Sequence, residues 1–493
     1  MANLPEQKSS RARRLTAALA ALSSVSALSL AALVAEPVAM HTTTGTGSTV
    51  RAATNAVQPP SAAEPGDFAD IVARVKPAVI SVRVELDGAQ QQASSDEDDG
   101  TPDPDAGQGV MMGEGSGFFI SADGYAVTNN HVVDHAKTLE VMTSDGRSYD
   151  ATVVGTDPKT DLALIKVDGR DLPHVRFADR RPRVGNWVIA IGNPYGLGGT
   201  VTAGIVSAEG RDIGAGPYDD FIQIDAPINR GNSGGPAFDV NGDVIGVNTA
   251  IFSPSGGSVG IGFDIPADTA KAVIAELKDK GHVTRGWLGI KEQQVTADIA
   301  EGLGLKEAKG ALVDEADPAG PAGRAGIRSG DLIIALDGAT INDPRELAQR
   351  VGAMAPGTSV TVSILRNGAP KDLSFSLATM PEESPAPVET ASDASAAPTS
   401  EQGFGLLLAP ATKVAGSGGK GMVVVAINPK GAAAQHGLEA GDVILDVGGK
   451  AVSSARDFRR DLASLRKEGR AAALLRIQSG DTTRFVALPL GHA

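Results

Sequence analysis

Between Asp67 and Pro266 the apolar residues fall in short runs: Val79 to Val84, Gly117 to Ile120, Gly124 to Thr128, Ala151 to Gly155, Val188 to Ile191, Thr202 to Ala208, Ile222 to Asp225, Val244 to Val247 and Ser258 to Ile265. Glycine-rich turns separate them, and that spacing predicts an all-β barrel or sandwich. Asp161 opens Asp161-Leu162-Ala163-Leu164-Ile165-Lys166, an acid heading a further strand with alternate residues buried. Pro266 to Lys280 then reads as a helix, and beyond it the chain repeats itself. Gly310-Ala311-Leu312-Val313 through Gly330-Asp331-Leu332-Ile333 recurs as Gly421-Met422-Val423-Val424 through Gly441-Asp442-Val443-Ile444. The pairs Pro318/Pro429, Gly320/Gly431, Gly326/Gly437, Gly330/Gly441 and Asp331/Asp442 keep a constant offset of 111, the mark of duplicated modules. Each copy adds one helix-like stretch, Pro344 to Val351 or Ala455 to Leu465.

The two ends of this pattern carry different information. Lys8, Arg11, Arg13 and Arg14 precede an uncharged run from Leu15 to Val34, followed by small residues near Ala35 and Ala39. This is the layout of an export signal, residues 1–39. At roughly 20 residues the run is also long enough to remain as an uncleaved anchor. Residues 40–66 are rich in Thr, Ala and Pro, a flexible lead-in. Pro381 to Glu401 is rich in Pro, Ser, Ala and Glu, a linker that permits movement. An acidic, proline-containing insertion over residues 88–109 interrupts two strands and reads as a mobile loop. The absence of cysteine excludes disulfides, thiol catalysis and cysteine-ligated metal. A formal charge of −15 argues against general nucleic-acid binding, which depends on phosphate neutralisation.

The chemistry concentrates in Asn229-Arg230-Gly231-Asn232-Ser233-Gly234-Gly235-Pro236. A serine among glycines presents its hydroxyl in a tight, bare loop whose backbone N–H groups converge. Acyl transfer needs such a nucleophile, a base to take its proton, and donors for the oxyanion; Gly231, Asn232 and Ser233 are the candidates for the last. Upstream, Thr128-Asn129-Asn130-His131-Val132-Val133 offers the base, and Asp161 the acid that would orient it. The chain order His, Asp, Ser, with spacings of 30 and 72 residues, is that of the chymotrypsin-type triad. His131 and His135 stand four apart, but no third ligand follows, so His135 reads as a surface residue and no metal is expected.

Gly115 to Ile120, Thr128 to Val133, Thr160 to Lys166, Gly192-Asn193-Pro194-Tyr195-Gly196 through Thr202, and Asn229 to Pro236 together resemble the trypsin-like HtrA family, in particular its periplasmic DegP/Do branch. The resemblance runs from about Asp67 to the C-terminus. It implies a multidomain chain: an all-β, trypsin-like double β-barrel protease domain over residues 67–282, then two mainly β PDZ domains over 283–380 and 402–493. It implies an exported, periplasmic serine endoprotease of unfolded or misfolded proteins, without cofactor. By the same resemblance Arg211 lies in a sensor loop that relays PDZ occupancy to the activation segment containing Ile228, Asn229 and Arg230. Gly260, Ile261, Gly262 and Phe263 match the loop that pairs with an extended substrate. Asp264 departs from the family, which commonly has a small apolar residue there: facing the specificity pocket it would alter preference, facing outward it would not.

PDZ domains bind C-terminal peptides by strand addition, with a backbone nest for the carboxylate. By the resemblance, Trp287, Leu288, Gly289 and Ile290 match that loop in the first copy, and Gln402 to Leu407 match it loosely in the second, which either binds peptide or serves assembly. Expected partners are unfolded chains, apolar C-terminal peptides and further copies of the chain in a homotrimer or larger oligomer, with Phe68 a contact. Nucleic acid is excluded, and a membrane is a partner only if the N-terminal segment is retained. The competing readings are a holdase or peptide-binding scaffold, and a membrane-anchored regulatory protease with one substrate.

Overall fold

The computed structural model describes residues 67–86, 112–196, 198–254, 256–381, 399–401, 404–414, 419–480 and 482–490. The expected export signal, the lead-in and the acidic insertion lie outside the described residues. No helix among the described residues is long and apolar enough to cross a membrane.

Two closed six-stranded barrels come first. Around the first, in hydrogen-bonding order, run Val79–Leu86, Met112–Phe119, Tyr125–Thr128, Leu162–Val167, Ser148–Asp157 and Ala136–Thr143. Around the second run Pro236–Phe238, Val244–Ile251, Gly262–Pro266, Phe221–Ile224, Thr200–Arg211 and Trp187–Gly192. The apolar runs are continuous rather than alternating because both faces of many strands are covered. In Leu162–Val167, Ala163, Ile165 and Val167 fill the first barrel, whereas Leu162 and Leu164 join a second core between the barrels. Phe238, Val247, Phe263 and Ile265 enter that shared core from the other side. The helix Ala267–Lys280 closes it with Ala270, Val273, Ile274 and Leu277, one face at helical spacing. It ends at Gly281, whose φ of 77° suits glycine and whose N–H caps the Leu277 carbonyl at 2.9 Å.

Each repeated module forms a sheet with a helix across it. The first runs Ile290–Gln294, Ala311–Ala316, Leu332–Leu336, Ser359–Arg366 and Ala369–Ser376; the second runs Thr399–Glu401, Leu406–Pro410, Met422–Ile427, Val443–Val447, Ala472–Ser479 and Thr482–Pro489. The helices Pro344–Gly352 and Ala455–Lys467 begin at Asp343 and Ser454, whose side chains accept the N–H three residues on.

Two expectations change. The run Ser258 to Ile265 is a strand only over Gly262–Pro266, since Gly260 has a φ of 80° and turns the chain. The segment expected to be a linker ends in a strand of the second sheet, Thr399–Glu401. The modules are also joined by a buried cluster that includes Ile299, Leu312 and Leu332 of the first with Leu474, Phe485 and Ala487 of the second. Gln293 completes the join, donating to the Phe485 carbonyl at 3.0 Å and accepting its N–H at 2.6 Å.

Candidate active site

His131 lies in a single helical turn, Asn130–Val133, anchored by the buried Val132 and Val133. Asp161 precedes its strand with a φ of 55°, a conformation aspartate tolerates better than most residues. Its carbonyl accepts the Asn129 side chain at 2.8 Å and the Asn130 N–H at 3.1 Å. Those bonds clamp the two segments, so that Asp161 Oδ1 accepts the His131 N–H at 3.0 Å and Oδ2 sits 2.8 Å from His131 Nδ1. Thr249, from the second barrel, donates its hydroxyl to the same Oδ2 at 2.6 Å. With Nδ1 protonated toward Asp161, Nε2 is the basic nitrogen left for a substrate.

Ser233 is held from both barrels. Ser116, on Met112–Phe119, donates its N–H to the Ser233 carbonyl at 2.8 Å and its hydroxyl to the Gly231 carbonyl at 2.5 Å. From the other side Asn248 and the Gly234-Gly235 pair exchange backbone bonds of 2.8 and 2.9 Å. Gly234 has a φ of 84°, and a Cβ there would stand 2.2 Å from the Ser116 carbonyl oxygen, so only glycine fits. Ser233 Oγ is directed at the Thr249 carbonyl, 3.4 Å away; among the described residues it makes no hydrogen bond to His131.

The three expected oxyanion donors separate. The Asn232 N–H is committed to the Asn229 carbonyl at 3.0 Å, which removes it from that set. Among the described residues the N–H groups of Gly231 and Ser233 donate to no other group.

Around this centre, Ile228 is buried in the second barrel against Gly262, whose Cβ would meet it at 2.9 Å. Asn229 Oδ1 accepts the Ser258 N–H at 3.1 Å, tying the segment of Ile228, Asn229 and Arg230 to the loop before Gly260 and Ile261; Arg230 is exposed. Phe263 packs its ring in the core between the barrels, 6.4 Å from that of Phe221. Asp264 is wholly buried, neither outward nor at an exposed surface, and among the described residues neither of its carboxylate oxygens has a hydrogen-bond partner. Burial alone pushes its pKa up to about 8.

A cleft of about 360 Å³ beside His131 and Asp161 shares Lys159 and Tyr218 with a groove of about 460 Å³ in the first module. Trp287, Leu288, Gly289 and Ile290 line that groove. Gly289 has a φ of 78°, and among the described residues the N–H groups of Leu288 and Gly289 donate to nothing, the makings of an anion nest. Arg285, two residues before Trp287, makes a buried bidentate pair with Asp157 at 2.8 and 2.5 Å, beneath the Tyr218 ring at 4.7 Å.

Arg211 itself pairs with Gln223 at 2.8 Å within the second barrel. Residues on either side of it meet the module's helix: Arg345 donates to the Gly210 carbonyl at 3.4 Å and Gln349 to the Asp219 carbonyl at 2.8 Å. His135 is exposed, 3.4 Å from Asp134, and Phe68 packs edge-on against Trp187 at 5.5 Å. Thr249, Ser116, Tyr218, Arg345 and Gln349 were not singled out by the sequence. Their partners lie far along the chain, so no local pattern marks them.

Residues 115–247 match the model of the trypsin-like peptidase domain, and residues 286–377 and 399–486 each match that of the PDZ domain. A protein of Brucella melitensis named periplasmic serine endoprotease DegP-like is 45% identical over 475 residues, covering 88% of this chain and 91% of that one. One of the same name from Bartonella henselae is 46% identical over 462 residues, covering 86% and 89%. The solved structure of the HtrA-type protease AlgW with a decapeptide is 39% identical, with a TM-score of 0.55, over 64% of this chain and all of that one. The chain belongs to the family of periplasmic serine endoproteases named DegP-like, proteins of HtrA type that join a trypsin-like peptidase domain to PDZ domains.

Proposed function

We propose that this endoprotease acts through His131, Asp161 and Ser233 on unfolded or misfolded chains, with domain limits of 67–282, 283–380 and 402–493. The Asp161 carboxylate, bonded at once to the backbone N–H and the Nδ1 of His131 and to Thr249, is the observation that carries the reading. Once Ser233 Oγ swings from the Thr249 carbonyl to Nε2, His131 takes its proton as Oγ attacks the scissile carbonyl carbon. The N–H groups of Gly231 and Ser233 receive the oxyanion. His131 then protonates the departing amine; the same nitrogen next takes a proton from water as that water attacks the acyl carbon, and returns it to Ser233 Oγ as the Oγ–C bond breaks and the acid leaves. Asp161 holds the Nδ1 proton throughout.

The first PDZ domain takes apolar C-terminal peptides at Leu288 and Gly289, a reading supported by the peptide in the AlgW structures. Occupancy is passed to the activation segment through the loop from Arg211 to Asp219, which the helix Pro344–Gly352 touches. Assembly into a homotrimer or larger oligomer uses Phe68 and its surroundings. The Ser233 orientation also suits a holdase whose triad rests unassembled, so the two are tested together. Cleavage of unfolded casein is measured for the mature chain and for Ser233→Ala, with and without a peptide ending in apolar residues. Serine-dependent cleavage that rises with peptide is expected. Serine-dependent cleavage indifferent to peptide would remove the relay, and binding with no cleavage under any condition would establish the holdase.

A further inference from the structure

The two PDZ sheets differ at one edge. In the first, Ile290–Gln294 pairs with Ala311–Ala316 on one side, and no described strand lies on the other, which opens on the peptide groove. The corresponding strand of the second is Leu406–Pro410. Matching hydrogen bonds establish the equivalence: the Leu288 and Gly289 carbonyls accept from Ala322 and Asp317, and the Phe404 and Gly405 carbonyls accept from Ala433 and Asn428. Gly289 and Gly405 share positive φ angles of 78° and 74°.

Leu406–Pro410 has both edges filled. Met422–Ile427 takes one, and Thr399–Glu401 takes the other, antiparallel, with Thr399 opposite Leu408, Ser400 opposite Leu407 and Glu401 opposite Leu406. A strand offers only two edges for backbone pairing, so an added peptide has no ladder to join. The direction is informative as well. A peptide bound by strand addition runs antiparallel to this strand and ends at the loop that precedes it. Thr399–Glu401 runs that way, and at the point where a ligand would end in a carboxylate it continues covalently into the loop.

Resting on the reading of these modules as receptors for C-terminal peptides, we propose that the second PDZ domain holds its own linker segment, Thr399–Glu401, in its peptide site as a tethered pseudo-ligand. A free apolar C-terminal peptide enters only when this strand leaves. Three residue pairs make a short ladder, which a longer peptide can exceed, while the tether keeps the resident strand at high effective concentration. The apparent affinity of the second site is therefore lowered by the fraction of chains in which it is open.

The test uses the full mature chain carrying Ser233→Ala and a decapeptide ending in Leu-Val-Leu with a free carboxylate, followed by titration calorimetry. The unmodified site pair should show one tight site per chain and a second at least tenfold weaker. Ser400→Pro, and separately the double change Thr399→Pro with Glu401→Pro, strike both phases of the ladder and should tighten the second site at least tenfold without altering the first. Two equal sites before any change, or a second site unmoved by both proline variants, would overturn the proposal. Hydrogen exchange on the chain without proline substitutions covers the case in which those variants misfold. Saturating peptide should release the amides of 399–401 to exchange while Leu406–Pro410 stays protected; protection of 399–401 retained with both sites filled would overturn it equally. A chain that binds no peptide at all defeats the receptor reading, and this inference falls with it.

Discussion

Replacing Asp264 with asparagine should stabilise the protease barrels by an amount that grows with pH. The carboxyl is fully buried, both oxygens are without a hydrogen-bond partner among the described residues, and burial raises its pKa from 3.8 to about 8. An acid with a raised native pKa holds a proton that the unfolded chain gives up. Between about pH 4 and pH 8 the native state therefore loses about 1.4 kcal/mol of stability per pH unit. From pH 5 to pH 8 that is a loss of about 4 kcal/mol. Asparagine resembles the protonated form at every pH, so the variant and the parent should be near-equal below about pH 4, and the gap between them should widen by about 4 kcal/mol from pH 5 to pH 8. Glu292 and Asp314, pushed up to about 7 and about 8 by burial, act in the same direction but are common to both chains and cancel in the difference. Of the two tryptophans, Trp187 belongs to the second barrel and Trp287 to the first PDZ domain. Urea unfolding followed by Trp187 fluorescence, with Trp287→Phe and Ser233→Ala in both chains, isolates the barrel. A difference in midpoint that is the same at pH 5 and pH 8, or a less stable variant at pH 8, would refute the reasoning.

Thr249→Val removes a hydroxyl donated to an ionised carboxylate, worth about 1.5–3 kcal/mol. kcat on a peptide substrate should fall about 10- to 100-fold with KM little changed, and Thr249→Ser should recover most of it. Gly234→Ala forces a Cβ against the Ser116 carbonyl at a positive φ; about 1–3 kcal/mol of backbone strain, a lower melting temperature and a loss of activity near 10²-fold are expected from thermal melts and initial rates. Arg285→Ala strands the buried Asp157 carboxylate and should cost about 3–5 kcal/mol, whereas the pair Arg285→Met with Asp157→Asn should regain most of that in a double-mutant cycle by urea denaturation.

How much of this was legible follows from the range of each interaction. The Ser233 loop is written locally, because the positive φ of Gly231 and Gly234 demands glycine at fixed offsets from the serine. The strands were legible for a related reason: burial on both faces leaves continuous apolar runs such as Leu162 to Ile165. Ala136–Thr143 escaped because Lys137, Thr138 and Glu140 face outward and dilute its apolar signal. Thr249 and Ser116 act across 88 and 115 residues, and nothing near them in the chain announces such partners. Asn232 misled for the opposite reason. It stands inside the right motif, but whether its N–H faces the substrate or turns back to Asn229 depends on the loop's conformation, not its composition. The apolar neighbours of Asp264 signal burial, yet a lone buried carboxyl is unfavourable enough that sequence gives no reason to expect one without a partner.

The two halves of the proposed catalytic centre are attached differently. The nucleophile loop is fixed wholly within the barrels, by Ser116 on one side and Asn248 on the other. The half that supplies base and acid is continuous with PDZ contacts: Asp157, four residues before Asp161, is the partner of Arg285, and Tyr218 packs against both Arg285 and Gly352. A shift of the first PDZ domain therefore reaches the Asp161 segment and the loop ending at Asp219 before it reaches Ser233. Because Ser233 Oγ needs a rotation toward His131 to become a nucleophile, a displacement of the histidine side alone can govern the encounter. The buried Arg285–Asp157 pair makes that coupling stiff, since it resists partial separation far more than an exposed pair would.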